Sequence, residues 1–130
     1  MTLAVNRVYE IDGRDSLTLE EFADDFTRRL NLQTNWRGNL DALNDILDGG
    51  FGTPDEGFVL VWKNSTLSKQ RLGYAETIKW LNDRIRKCHP SNVEHFRQRL
   101  ALASKNEGET LFDTVVEIIN DHPDIELRLE

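Results

Sequence analysis

Asp41, Asn44, Asp45 and Asp48 are the residues whose types and spacing most clearly point to chemistry. At about 100° per residue they gather on one side of a helix, with Leu40, Leu43, Ile46 and Leu47 on the other. A row of carboxylates suits charge-assisted hydrogen bonds to the guanidinium and ammonium groups of a basic partner. Asp41 with Asp45 also has the makings of an acid–base pair or a divalent-ion site. A convex helix, however, offers no cleft to exclude water, so a solvated or partner-facing pair is expected. Cys88, His89 and His95 bring a thiol near two imidazoles, but in no spacing recognisable as a metal site or a nucleophile–base pair. Gly49-Gly50-Phe51-Gly52 lacks the Lys and Ser/Thr that follow in a phosphate-binding loop. The expectation is a binding protein, not an enzyme, with no cofactor and no metal.

The acidic stretch must be held as a helix for its acids to act together. Asn39 stands at the N-cap and Gly49 at C′. Asp41, in the first turn, interacts favourably with the helix macrodipole. Asp45 repels it across one turn, and Asp48 sits at the unfavourable end of the dipole. No Lys or Arg occurs from Gly38 to Trp62, whereas Asp55 and Glu56 add further acid. The plain alternative is a solvated face on an acidic protein.

Strands and helices alternate around this segment. Leu3–Ile11 has the content of a first strand, with a turn at Asp12-Gly13. Thr18 and Glu21 form a capping box, with Leu17 and Phe22 at hydrophobic-staple positions, ahead of a helix carrying Phe22, Phe26 and Leu30. Phe58–Trp62 is an unbroken apolar run, as in a strand buried on both faces. Leu111, Phe112, Val115, Val116, Ile118 and Ile119 form a largely apolar helix with Pro123 beyond it. Ile125, Leu127 and Leu129 then alternate with charged residues as a final strand. Such an order predicts an α/β domain with parallel pairing.

The chain has 130 residues and a net charge of −7. A single domain of this length buries roughly two-thirds of its unfolded surface. The charge disfavours general nucleic-acid or anionic-membrane affinity and favours a basic partner. The stretch Met1–Arg7 lacks the apolar core of a signal peptide and no membrane span is expected, so a cytoplasmic location follows; the lone Cys88 is compatible with a reducing compartment.

The run Asn39-Leu40-Asp41-Ala42-Leu43, followed by Asp45 and Gly49, resembles the inhibitory helix of the barstar family of ribonuclease inhibitors. Phe58-Val59-Leu60-Val61-Trp62 with Ser68-Lys69-Gln70 is similar to that family's central strand and next helix. Glu117 with Asp124-Ile125 fits its last helix and final strand. The likeness covers residues 1–70 and 107–130. It implies a small three-stranded parallel sheet flanked by helices. It also implies that Asp45 stands where a substrate phosphate would bind, that Asp41 and Glu117 are further contact acids, and that Gly49 permits close approach. The family's aromatic contacts are mostly missing. Asn44 stands between the two acids where an aromatic is expected, Asn35 replaces a tyrosine beside Trp36, and Gly50 replaces another aromatic beside Phe51. The resemblance therefore implies an immunity protein for a related but different bacterial ribonuclease toxin, acting as a monomer in a 1:1 complex. Asp41, Asn44, Asp45, Asp48, Gly49, Asn35, Trp36 and Glu117 form the expected contact set.

Residues 71–106 depart from the family pattern as a helical insertion within the single domain, 1–130. Tyr74, Ile78, Leu81 and Ile85 share one stripe, and Ser91-Asn92-Val93-Glu94 is a second capping box ahead of Phe96 and Leu100. From Lys69 to Lys105 nine basic residues face three acids, a local +6, leaving −13 elsewhere. This fits a hairpin docked on the acidic domain, a partner-specific second contact, or an RNA-binding patch. The first two are favoured because the stripes need burial and the bases are not interleaved with many aromatics. The alternative function is an RNA-associated regulatory module using residues 69–105.

Overall fold

The computed structural model describes residues 7–130. Three strands, β1 (Arg7–Asp12), β2 (Phe58–Lys63) and β3 (Ile125–Leu129), form one parallel sheet in the order β1-β2-β3. Helices α1 (Leu19–Arg29) and α2 (Leu40–Leu47) connect β1 to β2. Helices α3 (Ser65–Arg71), α4 (Tyr74–Lys87), α5 (Val93–Ala103) and α6 (Leu111–Asn120) connect β2 to β3. The expected α/β fold and parallel pairing are present. The part of the expected first strand before Arg7 lies outside the described residues.

The centre of the sheet is apolar because both of its faces are covered. Phe58 to Trp62 are all buried, and only Lys63 emerges at the strand's end. Trp62 stacks on Phe22 at 5.0 Å and meets Phe112 at 5.1 Å, joining the strand to α1 and α6. Its indole N–H donates to Ser68 Oγ at 2.9 Å, so a buried polar group is satisfied within the core. At Gly57 (φ +98°) a Cβ would stand 2.2 Å from the Asp124 carbonyl oxygen, so the entry to β2 admits only glycine.

Helix ends match the sequence only in part. Thr18 accepts from the Glu21 amide at 3.1 Å, but the Glu21 carboxylate accepts from Leu17 N, not from Thr18 N. Leu17 itself is 62% exposed, so the expected staple is not buried. The capping box expected at Ser91 does not form. A 3-10 turn over Pro90–Asn92 precedes α5, and Ser91 N donates to His89 Nδ1. A complete capping box occurs instead at α6, between Thr110 and Asp113.

The 71–106 segment is a hairpin of α4 and α5 bonded into the rest of the fold. Glu76 Oε2 accepts from Leu19 N at 2.7 Å, at the start of α1. Thr77 Oγ1 accepts from Leu111 N at 2.9 Å, at the start of α6, and donates to the Gly73 carbonyl. Tyr74 donates its hydroxyl to the Gly108 carbonyl, and Leu81 is fully buried. The stripe expected from sequence is thus the hairpin's docking side, although Ile78 and Ile85 are only half-buried.

Candidate functional site

Helix α2 carries the acidic face expected of it. Asn39 caps it, accepting from the Ala42 amide at 3.1 Å. Leu40, Leu43, Ile46 and Leu47 are buried, while Asp41, Asn44, Asp45 and Asp48 are exposed. The helix stops at Gly49, whose φ of +118° an L side chain rarely adopts. A Cβ there would meet nothing within 4 Å, so the surface beside the helix end is open. Among the described residues no Lys or Arg forms an ion pair with Asp41, Asp45 or Asp48.

The C-terminal half of α2 is braced by a residue 78 positions distant. His122, just beyond α6, is 8% exposed; its Nε2 lies 3.0 Å from Asn44 Oδ1 and its Nδ1 3.4 Å from Asp48 Oδ1. A protonated imidazole donates to both, a neutral one to only one. Sequence reasoning missed His122 as a member of the site, and no local signal marked it. Asn44 and Asp48 are therefore partly engaged within the molecule, whereas Asp41 and Asp45 are not.

Two of the expected contact residues serve the scaffold. Trp36 is 2% exposed and packs edge-on against Phe22 and Phe26, at 6.1 and 6.0 Å, so the structure removes it from the contact surface. Burial of the ring's apolar surface draws it beneath the loop, although its indole N–H has no hydrogen-bond partner among the described residues. Asn35 is half-buried; its Nδ2 donates to Asp24 and its Oδ1 accepts from Arg37 N, which fixes the approach to α2.

Glu117 is exposed on α6, the helix packed beside α2. Thr114, Glu117, Ile118 and Asp121 share a stripe at helical spacing. Glu109 lies close enough to hold the Glu117 carboxyl above the ordinary glutamate range, first by a hydrogen bond to it and then by charge repulsion; Asp121 adds to the repulsion. Asp41, Asp45 and Glu117 thus place negative charge on two adjacent helices. Among the described residues no group of three or more His, Cys, Asp or Glu is arranged to hold a metal ion. No described helix is long and apolar enough to cross a membrane.

The site is thus an exposed acidic helix beside the last helix of a three-stranded parallel α/β domain. The family model of barstar, the barnase inhibitor, matches residues 6–102. The chain belongs to the barstar family. The match includes α2, β2 and the α4–α5 hairpin and ends before α6, so the assignment of Glu117 rests on its position in the fold. Among curated proteins no match to the chain is found.

Proposed function

We propose that this chain inhibits a ribonuclease by laying α2 across the enzyme's basic active-site cleft, and that it serves as an immunity protein against a bacterial ribonuclease toxin. The observation that carries this reading is the exposed Asp41–Asp45 pair, without a basic partner among the described residues, on a helix anchored by four buried apolar side chains. A ribonuclease gathers Arg, Lys and His around RNA phosphates, so its empty cleft is a pocket of converging positive charge. Asp45 takes the place of a substrate phosphate, Asp41 binds one turn earlier, and Glu117 closes on the cleft from α6. Open space at Gly49 admits the partner's backbone; Asn44 and Asp48, held by His122, form the rim. Family membership supports an inhibitor rather than an enzyme. The isolated chain is a monomer that binds its target 1:1 in the cytoplasm, and the α4–α5 hairpin helps select the cognate enzyme.

Titration of a candidate ribonuclease toxin tests the reading. Wild type inhibits stoichiometrically, and Asp45→Ala weakens inhibition by about 10- to 100-fold. That range corresponds to about 1.5–3 kcal/mol for each charge-assisted hydrogen bond lost. Association slows with added salt, because long-range attraction is screened. Unchanged inhibition by a folded Asp45→Ala protein would sink the mechanism.

A further inference from the structure

The basic hairpin carries a cavity of its own at the edge of the acidic helix. About 210 Å³ in volume, it is lined by Trp80 and Arg84 of α4, Phe96 and Arg99 of α5, Asp41 of α2 and Ile118 of α6. The guanidinium carbon of Arg99 lies 5.6 Å from the Trp80 ring centre and that of Arg84 6.0 Å, while Phe96 meets the indole edge-on at 6.0 Å. Cation–π attraction to one indole therefore gathers two guanidinium groups at one place.

Lys79 pairs with Glu76, and Arg86 and Lys87 pair with Asp83, so other bases of α4 are matched within their own helix. Among the described residues neither Arg84 nor Arg99 forms an ion pair, although Asp41 borders the same cavity. Arg99 Nη2 is closed off from solvent and, among the described residues, has no hydrogen-bond acceptor. A guanidinium fork matches a planar oxyanion.

We propose that this cavity is a second recognition point and that its occupant is a single Asp or Glu side chain of the ribonuclease that α2 inhibits, an inference that rests on the function proposed above. Charge complementarity selects a carboxylate. The surroundings select a protein as its carrier: Asp41 stands at the cavity and Asp45, Asp48 and Glu117 lie on the same two helices. An RNA strand would set its successive phosphates against those acids. A basic enzyme brings one acid for the two arginines together with cations for Asp41 and Asp45. The small volume suits one side chain, and Trp and Arg are the residue types that most often dominate interface energetics. A ribonuclease without the acid leaves Arg84 and Arg99 facing no counter-charge, so the cavity discriminates among enzymes with the same basic cleft.

The test measures affinity and dissociation rate toward a candidate ribonuclease toxin, for wild type, Asp45→Ala, R84Q/R99Q and R84K/R99K. We expect R84Q/R99Q to weaken binding at least tenfold, mainly through faster dissociation, with partial recovery in R84K/R99K, which keeps the charge without the fork. Neutralising each surface Asp and Glu of the ribonuclease in turn should reveal one whose loss is non-additive with R84Q/R99Q. If R84Q/R99Q binds within twofold of wild type while Asp45→Ala fails, the cavity proposal falls and the inhibitor reading stands. Failure of wild type itself to bind overturns both. Loss of affinity for a single-stranded RNA oligonucleotide, with ribonuclease binding unchanged, makes the cavity an RNA site and also overturns it. Should the glutamines loosen the hairpin, as judged by melting and tryptophan fluorescence, coupling between R84K/R99K and the partner's acid decides instead.

Discussion

Glu117 is an acid whose charge depends on its neighbours. Glu109 and Asp121 oppose its ionisation, so it retains a proton to higher pH than an ordinary glutamate. A carboxyl raised in the folded state contributes stability below its unfolded pKa and loses it as pH rises through the folded value. At neutral pH the pair therefore repels, in a position that a cationic partner relieves. Glu109→Gln should bring the Glu117 titration down toward the ordinary range without lowering stability at pH 7, as followed by carboxyl NMR; an unmoved midpoint would show that Glu109 is not the cause. Other residues differ from their sequence reading because their partners are distant. Trp36 beside Asn35 resembled a surface aromatic, but Phe22 and Phe26 provide it with an apolar site. His122 carried no motif at all, yet it reaches both Asn44 and Asp48.

As an element, α2 is held by packing more than by its own propensity. Eight residues are too few to form a stable helix in isolation. Repulsion between Asp41 and Asp45 costs about 0.2–0.5 kcal/mol, whereas each fully buried Leu or Ile contributes about 1.5–3 kcal/mol. Burial therefore wins, and the helix tolerates an unbalanced acidic face. Removing the cap with Asn39→Ala should cost about 1 kcal/mol of stability and weaken inhibition by fraying the turn that carries Asp41. Thermal melting and the inhibition titration check the two effects; no change in either would mean that the Ala42 amide finds another acceptor. The face and cap of α2 were legible because a helix repeats every 3.6 residues and its cap is local. The ends of α1 and α5 were less so, since Glu21 and Ser91 each had a competing hydrogen-bond partner that spacing does not reveal.

At the scale of the whole molecule, the hairpin and the sheet form one connected body. Glu76, Thr77 and Tyr74 bond the start of α4 to α1, α6 and the loop before α6. Thr77→Val removes the buried acceptor for Leu111 N and should destabilise the protein by about 1–3 kcal/mol. Because α4 and α6 share that bond, denaturant unfolding followed separately by fluorescence and circular dichroism should remain a single transition. A separate early loss of α4 and α5 would show that the hairpin is an independent unit. Docking leaves the charge asymmetry in place: among the described residues the ion pairs of α4 lie within that helix, and Arg84 and Arg99 lie beside the acidic helix without pairing with it.

The sequence by itself determined the alternation of helices and strands, the buried central strand, the acidic face of α2 with its Asn39 cap and Gly49 stop, and the apolar side of α6. Each depends on residues at most a few turns apart, whose periodicity and capping chemistry are written locally. Tertiary structure alone decided that Trp36 turns inward, that Asn35 bonds to Asp24, that His122 braces Asn44 and Asp48, and that Arg84 and Arg99 converge on Trp80 beside Asp41. The decisive contacts between elements join residues as many as 78 positions apart. Their partners are set by how the buried faces close on one another, which no local pattern specifies.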